Sequence, residues 1–156
     1  MAVPRISIRP MRPDDADEVR QLDQLILGDD RSQTWDEQVS RFIEMSDYGT
    51  LPHPSLGCFV AHRNNRVVGF LFSEYQVGEY GLPRGMRIVA VGVHPDERRQ
   101  GIGQMLVDEL RNQCAERGIK DLYAVLRPGD SRIANFLASC GLEQSAVTVM
   151  GQRVSG

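Results

Sequence analysis

The pattern of apolar and polar positions predicts a strand followed by a helix in the middle of the chain. Ile88, Val89, Ala90, Val91 and Val93 form a near-continuous apolar run, which is typical of a strand that is buried on both faces. The helix is predicted next, because apolar residues recur there every four positions, at Ile102, Leu106, Leu110 and Cys114. A proline turn at Pro95 and a basic loop with two glycines, over residues 98–103, connect the two elements.

Strand and helix patterns also alternate in the first half of the chain. Ile6 and Ile8 predict a first strand, and Asp14 and Asp15 begin a helix that runs to about Leu27. A second helix is expected next, since residues 34–37 have the Thr-x-x-Glu pattern of a capping box. Two strands, over residues 58–62 and 67–75, flank an Asn-Asn pair that is typical of a hairpin turn.

The last third of the chain predicts further short elements. Gly118 is expected to end the long helix in a left-handed conformation, and a strand follows over residues 119–126. A short helix begins at Asp130 or Ser131 and ends at Gly141. The tail predicts an edge strand over residues 142–144 and a final strand around Val147 and Val149. The predicted order is β-α-α-β-β-β-α-β-α-β-β.

Composition and charge narrow the classes of function. The chain has 156 residues, of which 41% are hydrophobic and 25% charged, as in an ordinary globular domain. A net charge of −3 argues against a nucleic-acid binder. Three scattered cysteines are too few for a disulfide framework or a zinc site. No segment has the pattern of a signal peptide or a membrane span, so we expect a cytoplasmic protein.

The loop after the central strand has the features of a phosphate-binding site. Two glycines permit close approach of a ligand, the first N–H groups of the helix lack acceptors, and two arginines add positive charge. Gln104 and Met105 stand where a nucleoside-triphosphate loop needs Lys and Ser or Thr, and Leu106 replaces the third glycine of the dinucleotide motif. The sequence therefore excludes both of these phosphate-binding motifs.

What remains is R-x-x-G-x-G after a strand that ends in V-x-V-H-P. This resembles the coenzyme A motif of the GNAT superfamily of N-acetyltransferases, and Arg98, Gly101 and Gly103 occupy its positions. The resemblance implies that the loop amides hold the pyrophosphate of acetyl-CoA and that the preceding strand pairs with the pantetheine arm. The cofactor-binding residues that it implies are Val91, Gly92, Val93, Arg98, Arg99, Gln100, Gly101, Ile102, Gly103, Gln104 and Ser131.

The resemblance also implies the fold. We expect a single GNAT domain over residues 1–156, of the α/β (α+β) class. Its central sheet is mixed, largely antiparallel and twisted, with about seven strands and four flanking helices. A second family motif on the last helix is only partly present, because Asp130 replaces its Asn and Leu137 replaces the Tyr that commonly protonates the departing thiolate. Tyr123, Ser131 and Cys140 are the candidate substitutes.

The predicted activity is acetyl transfer by direct attack of a primary amine on acetyl-CoA. Such an amine is mostly ammonium at neutral pH and must lose a proton to a general base. The central strand carries no carboxylate, so Glu74 is the preferred base, with Glu79 and His94 as the next candidates. Tyr75 and Tyr80 are further candidates for contact with the acceptor.

Several properties stay open at this stage. The acceptor is a small-molecule amine, a peptide N-terminus or a lysine, and the sequence does not name it. The resemblance leaves open a homodimer, and we expect no metal, nucleic-acid or membrane partner. The alternative function is a catalytically weak acyl-CoA-binding or sensor domain of the same fold.

Overall fold

A computed structural model of the chain describes residues 5–28, 37, 57–78, 81–127, 129–145, 148 and 150–154. These residues form five strands and three helices. In chain order they are β1 Ser7–Pro10, α1 Ala16–Leu27, β2 Phe59–Arg63, β3 Arg66–Gln76, β4 Gly85–Val93, α2 Ile102–Glu116, β5 Leu122–Ala124 and α3 Ser131–Ser139. Short 3-10 turns at Pro13–Asp15 and Pro95–Glu97 precede α1 and the basic loop, respectively.

The strands form one mixed sheet in the order β1-β2-β3-β4-β5. The first three pairings are antiparallel, and only β4 and β5 run parallel. This architecture confirms the predicted fold class, with five strands among the described residues rather than about seven. Of the predicted second helix, only Glu37 lies within the described residues, so three helices are observed instead of four.

The sheet separates two apolar layers, as alternation of side chains along each strand requires. The layer beneath α2 contains buried residues of three strands and of the helix itself: Phe59, Leu71, Met86, Leu106 and Leu110. The layer beneath α1 contains Val19, Leu22, Val60, Phe70 and Phe72. The helix α3 adds Leu137 and Cys140 to the α2 layer.

The β2–β3 hairpin has the turn that its sequence predicts. Asn64 and Asn65 adopt positive φ angles of 52° and 61°, respectively, and they connect the pair Arg63↔Arg66. Two successive left-handed residues make a type I′ turn, which asparagine tolerates better than most residues.

Two helix ends explain why the strands after them differ from the prediction. Gly118 has a φ of +70°, as predicted, and the N–H of Ile119 donates to the carbonyl of Cys114 at 2.8 Å. This is the Schellman arrangement, in which the residue after the glycine still belongs to the helix cap. The strand β5 therefore begins at Leu122 rather than at residue 119.

The end of α3 repeats this arrangement and corrects a prediction. Gly141 has a φ of +93°, and the N–H of Leu142 donates to the carbonyl of Leu137 at 3.0 Å. The Leu142 side chain packs against the α2 layer. The predicted edge strand over residues 142–144 is wrong, because its first residue closes the helix. Val147 and Val149 of the predicted final strand lie outside the described residues.

All three cysteines are buried as free thiols. Burial raises the pKa of Cys58 to about 12, and it also raises the pKa values of Cys114 and Cys140. Within the described part of the chain, no helix combines the length and the apolar character that a membrane crossing requires.

Candidate active site

A gap opens in the sheet between β4 and β5. The parallel pairing of these strands ends at Ile88↔Ala124, although β4 continues to Val93. On its other side, β4 stays paired with β3 as far as Val93↔Gly69. The backbone groups of residues 89–93 that face away from β3 therefore have no strand partner in the described structure. An open strand edge of this kind can pair with an extended ligand.

A β-bulge in β4 lies at the start of the gap. Phe72 pairs with Ala90 and Ser73 pairs with Ile88, so Val89 has no partner on β3. A bulge bends its strand and increases the local twist. The Val89 side chain is 36% exposed as a result, although the sequence predicted a strand buried on both faces. The bulge thus marks the level at which β4 and β5 separate.

The basic loop brings the start of α2 to the end of β4, because a Cβ added at Gly69, the partner of Val93, would lie 3.1 Å from Cγ2 of Ile102. Arg99 and Gly101 both have positive φ angles, of 69° and 75°, respectively. For Arg99 this conformation costs about 1–2 kcal/mol. Gly101 caps α2 without a side-chain hydrogen bond, and the first helical bond is Met105 N–H to the Gly101 carbonyl at 2.9 Å. The N–H groups of residues 102–104 accordingly have no acceptor within the helix.

The two glycines of the loop have different roles. Gly101 is exposed, and nothing lies within 4 Å of a Cβ added there. Gly103 is buried, and an added Cβ would lie 2.8 Å from Cε2 of Phe136 on α3. The sequence predicts that both glycines permit close approach of a ligand. The structure shows in addition that Gly103 is a contact point between α2 and α3.

We expect Gly103→Val to lower the free energy of unfolding by about 1–3 kcal/mol, because the new side chain overlaps the Phe136 ring. Urea unfolding of the single variant, of Phe136→Leu and of the double variant measures the coupling. Phe136→Leu removes the outer ring atoms and should recover part of the loss. Additive effects in the double variant would show that the two residues do not interact.

Two predicted cofactor-binding side chains are already engaged by the protein. The Gln100 amide accepts from Arg63 Nη2 at 2.6 Å and donates to Glu97 Oε2 at 2.9 Å. The Gln104 amide donates to Asp108 at 3.0 Å and accepts from the Cys140 thiol at 3.3 Å. The side chains of these two glutamines therefore hold the loop and the helix in place. The backbone N–H of Gln104 has no acceptor within the helix, since the first helical bond starts at Met105.

The remaining predicted cofactor-binding residues lie on β4, in the basic loop and in the first turns of α2 and α3. Val91, Gly92 and Val93 are at the end of β4 that pairs with β3 but not with β5, and Ile102 is buried in the first turn of α2. Arg98 is half-buried and Arg99 is exposed. Ser131 is exposed in the first turn of α3, directly after the end of β5 and its loop.

A row of three polar side chains crosses the sheet just before the bulge. Glu74 on β3 is opposite Arg87 on β4, and Arg87 is opposite Tyr123 on β5. The Arg87 Nη2 and Glu74 Oε2 atoms are 3.0 Å apart, and the two side chains are 35% and 20% exposed, respectively. Because Leu122 and Ala124 pack in the α2 layer, Tyr123 lies on the opposite face, together with Glu74 and Arg87.

The other predicted acceptor-side residues are less well placed. Tyr75 packs in the α2 layer, on the opposite face of the sheet from Glu74, because neighbouring residues of a strand alternate. Glu79 and Tyr80 lie outside the described residues.

His94 contributes to the turn that precedes the loop. Its Nδ1 accepts from the backbone N–H of Asp96 at 3.1 Å, and its Nε2 lies 3.0 Å from Arg66 Nη2. A neutral imidazole has one acceptor nitrogen, so only one of these contacts is a hydrogen bond at a time. A general base would need that same lone pair. The geometry therefore favours a structural role for His94.

The substitutes for the missing tyrosine of the last helix also differ in position. Leu137 is 4% exposed within the core, so its side chain faces away from solvent. Cys140 is buried, and burial raises the pKa of its thiol. Tyr123 is partly exposed on β5, and Ser131 is exposed in the first turn of α3. No group of three or more His, Cys, Asp or Glu residues in the described ranges could hold a metal ion.

Comparisons with known proteins agree with this architecture. Residues 17–142 match the sequence model of the Acetyltransferase (GNAT) family. A comparison with curated protein sequences finds no match.

Solved structures are similar to the chain over almost its whole length. One is aminoglycoside N-acetyltransferase AAC(6')-Iy in complex with a bisubstrate analogue, CoA-S-monomethyl-acetylneamine, at 12% identity and a TM-score of 0.77, with 97% of this chain and 99% of that chain covered. A possible acetyltransferase from Clostridium difficile has 17% identity, a TM-score of 0.73, and coverage of 97% and 99%, respectively. The enzyme AAC(6')-Ih from Acinetobacter baumannii has 13% identity, a TM-score of 0.72, and coverage of 97% and 100%.

Proposed function

Because the chain belongs to the GNAT acetyltransferase family, we propose that it transfers the acetyl group of acetyl-CoA to a primary amine. The observation that carries this proposal is the edge of β4 over residues 89–93 that does not pair with β5, which is followed by the basic loop and by the N–H groups at the start of α2 that lack acceptors within the helix. An open strand edge next to free amide groups fits a ligand in which an extended, amide-containing arm is joined to a pyrophosphate.

The loop and the strand divide the binding of acetyl-CoA between them. The N–H groups of residues 101–104 bind the pyrophosphate, and the partial positive charge of the helix terminus strengthens this contact. Arg98 and Arg99 add two full positive charges at the same place. The backbone of Val91, Gly92 and Val93 pairs with the pantetheine arm. Ser131 contacts the cofactor from the first turn of α3.

Glu74 is proposed as the general base. Its carboxylate accepts the proton that the ammonium of the acceptor must lose before the amine can attack. The amine nitrogen then forms a bond to the thioester carbonyl, and a backbone N–H at the bulge of β4 stabilises the oxyanion. When the C–S bond breaks, the new amide nitrogen loses its second proton to solvent, and the thiolate takes a proton from solvent or from Tyr123, which solvent then reprotonates. Glu74 supplies, from β3, the carboxylate that β4 lacks.

The acceptor is proposed to be a small-molecule amine. Support comes from the similar structures, several of which are aminoglycoside acetyltransferases by name. The alternative acceptor is a peptide N-terminus or a lysine. A panel of small amines and short peptides, assayed by release of free CoA thiol, separates these two classes of acceptor.

One observation favours a second function. Leu137 is buried where the family commonly has a tyrosine, and the residues of β4 include no carboxylate. An acyl-CoA-binding or sensor domain would need neither group. Such a domain binds acetyl-CoA but releases no thiol with any amine of the panel.

Thermal unfolding with and without ligand tests the cofactor assignment. CoA or acetyl-CoA at a hundred times its dissociation constant should add about 2.7 kcal/mol to the free energy of unfolding. For a chain of this size the midpoint should rise by roughly 5–10 °C. NAD and ATP are the controls and should cause a much smaller shift. If neither CoA nor acetyl-CoA shifts the midpoint at millimolar concentration, the proposed function is wrong.

A further inference from the structure

Three side chains connect the β2–β3 hairpin to the basic loop in a closed triangle. Arg63, the last residue of β2, has its Nη2 atom 2.6 Å from Gln100 Oε1 and 3.2 Å from Glu97 Oε2. The Gln100 Nε2 atom donates to the same Glu97 oxygen at 2.9 Å. Each corner of this triangle, which we call the loop clamp, contacts both of the others.

The loop clamp includes a residue from the part of the basic loop that has positive φ angles. Gln100 stands between Arg99 and Gly101, both of which have positive φ angles. Glycine adopts this conformation freely, but an arginine does so only when its surroundings hold it there. The Gln100 amide is fixed from two sides, so the backbone on either side of it is fixed as well.

The charged members of the loop clamp are largely shielded from water. The side chains of Arg63 and Glu97 are 17% and 18% exposed, respectively. Ion pairs that are partly buried and joined by a third polar group are stronger than isolated pairs on the surface. A single nitrogen atom of Arg63, Nη2, contacts both Gln100 and Glu97. The positive charge at this atom therefore holds the loop clamp together.

We propose that Arg63 is a positioning residue that orients the loop amides for the pyrophosphate of acetyl-CoA, without touching the cofactor itself. This inference rests on the proposed function. It also gives Gln100 a different role from the one that the sequence indicated, because its side chain acts on the loop rather than on the ligand.

The test is Arg63→Met, which keeps an unbranched apolar stem and removes the guanidinium with its charge. With acetyl-CoA as substrate, we expect KM to rise about tenfold, which corresponds to about 1.4 kcal/mol, while kcat stays within a factor of about two. With S-acetyl-pantetheine, which lacks the pyrophosphate, KM should not change. Arg63→Lys keeps a positive charge at this place and should recover most of the affinity for acetyl-CoA.

The matched control is Arg20→Met. Arg20 also pairs with a carboxylate, that of Asp17 on α1, and it lies far from the loop in sequence. The control variant should have wild-type KM values for both substrates.

A second variant separates positioning from direct contact. Gln100→Ala removes the central amide and keeps the backbone N–H. If Arg63 acts through Gln100, the double variant should be no worse than Arg63→Met alone. Additive losses would instead indicate that Arg63 contacts the cofactor directly, and would overturn the inference.

The remaining outcomes are equally distinct. Wild-type protein that binds no CoA would refute the proposed function itself. If the wild-type protein binds CoA and the Arg63→Met variant has the wild-type KM for acetyl-CoA, only the positioning role of Arg63 is refuted. Equal increases in the KM of Arg63→Met for acetyl-CoA and S-acetyl-pantetheine would indicate a general structural role of Arg63. This outcome would also refute the inference.

Discussion

Glu74→Gln is expected to lower kcat by about 100-fold or more while leaving the affinity for acetyl-CoA unchanged. Glutamine preserves the shape of the side chain and its ability to accept a hydrogen bond, but it cannot take a proton. Steady-state kinetics with a productive amine, together with a CoA binding measurement, gives both quantities.

The pH dependence of the Glu74→Gln defect provides a second readout. A primary amine has a pKa of about 10. Below that pH, each increase of one pH unit raises the neutral fraction of the amine about tenfold. The variant depends on amine that arrives already neutral. Its deficit relative to the wild type should therefore shrink as pH rises from 7 to 9.

Arg87→Gln is the control for the ion pair. It removes one partner of Glu74 and leaves the carboxylate in place. If Glu74 acts as a base, Arg87→Gln should cost much less turnover than Glu74→Gln. Equal losses in the two variants would mean that the ion pair itself is what the reaction needs. An unchanged rate for Glu74→Gln would end its candidacy and leave Glu79 and His94.

The second large effect is expected for Gly85→Ala, at the closed end of the gap between β4 and β5. An added Cβ would overlap the backbone carbonyl oxygen of Asp121. That oxygen accepts a hydrogen bond from Met86 N–H at 3.0 Å, the contact that brings β5 to β4. Because a backbone cannot rotate away as a side chain does, we expect a loss of about 3 kcal/mol in the free energy of unfolding.

Thermal unfolding measures this loss, which corresponds to a midpoint about 6–12 °C lower. Gly151→Ala is the matched control, since nothing lies within 4 Å of a Cβ added there. It should change the free energy of unfolding by less than about 0.5 kcal/mol. A Gly85→Ala variant as stable as this control would contradict the described contact between β4 and β5.

Local signals in the sequence predicted most of the fold. The left-handed glycine at Gly118 and the two asparagines of the hairpin were readable because each conformation favours few residue types. The order of strand, basic loop and helix around Gly101 was readable for the same reason. The tail was less readable, because the alternating pattern around Leu142 fits a strand and a capped helix end equally well.

Contacts between distant segments could not be predicted from local patterns. The Glu74–Arg87 pair depends on the register of β3 and β4, which the bulge at Val89 shifts by one residue. The contact of Gly103 with Phe136 depends on how closely two helices approach. The hydrogen bond from Arg63 to Gln100 joins residues 37 positions apart. Each of these contacts is set by tertiary packing, and none has a signature in a single sequence.

The burial of the three cysteines has a practical consequence for measuring turnover. Thiol-reactive dyes respond to the thiolate, and burial raises the pKa values of Cys58, Cys114 and Cys140. The folded protein should therefore contribute little background in a colorimetric assay. The colour that develops would report the free coenzyme product, which allows continuous screening of candidate amines without removing a native cysteine. A single surface cysteine added for fluorescence labelling would react selectively for the same reason.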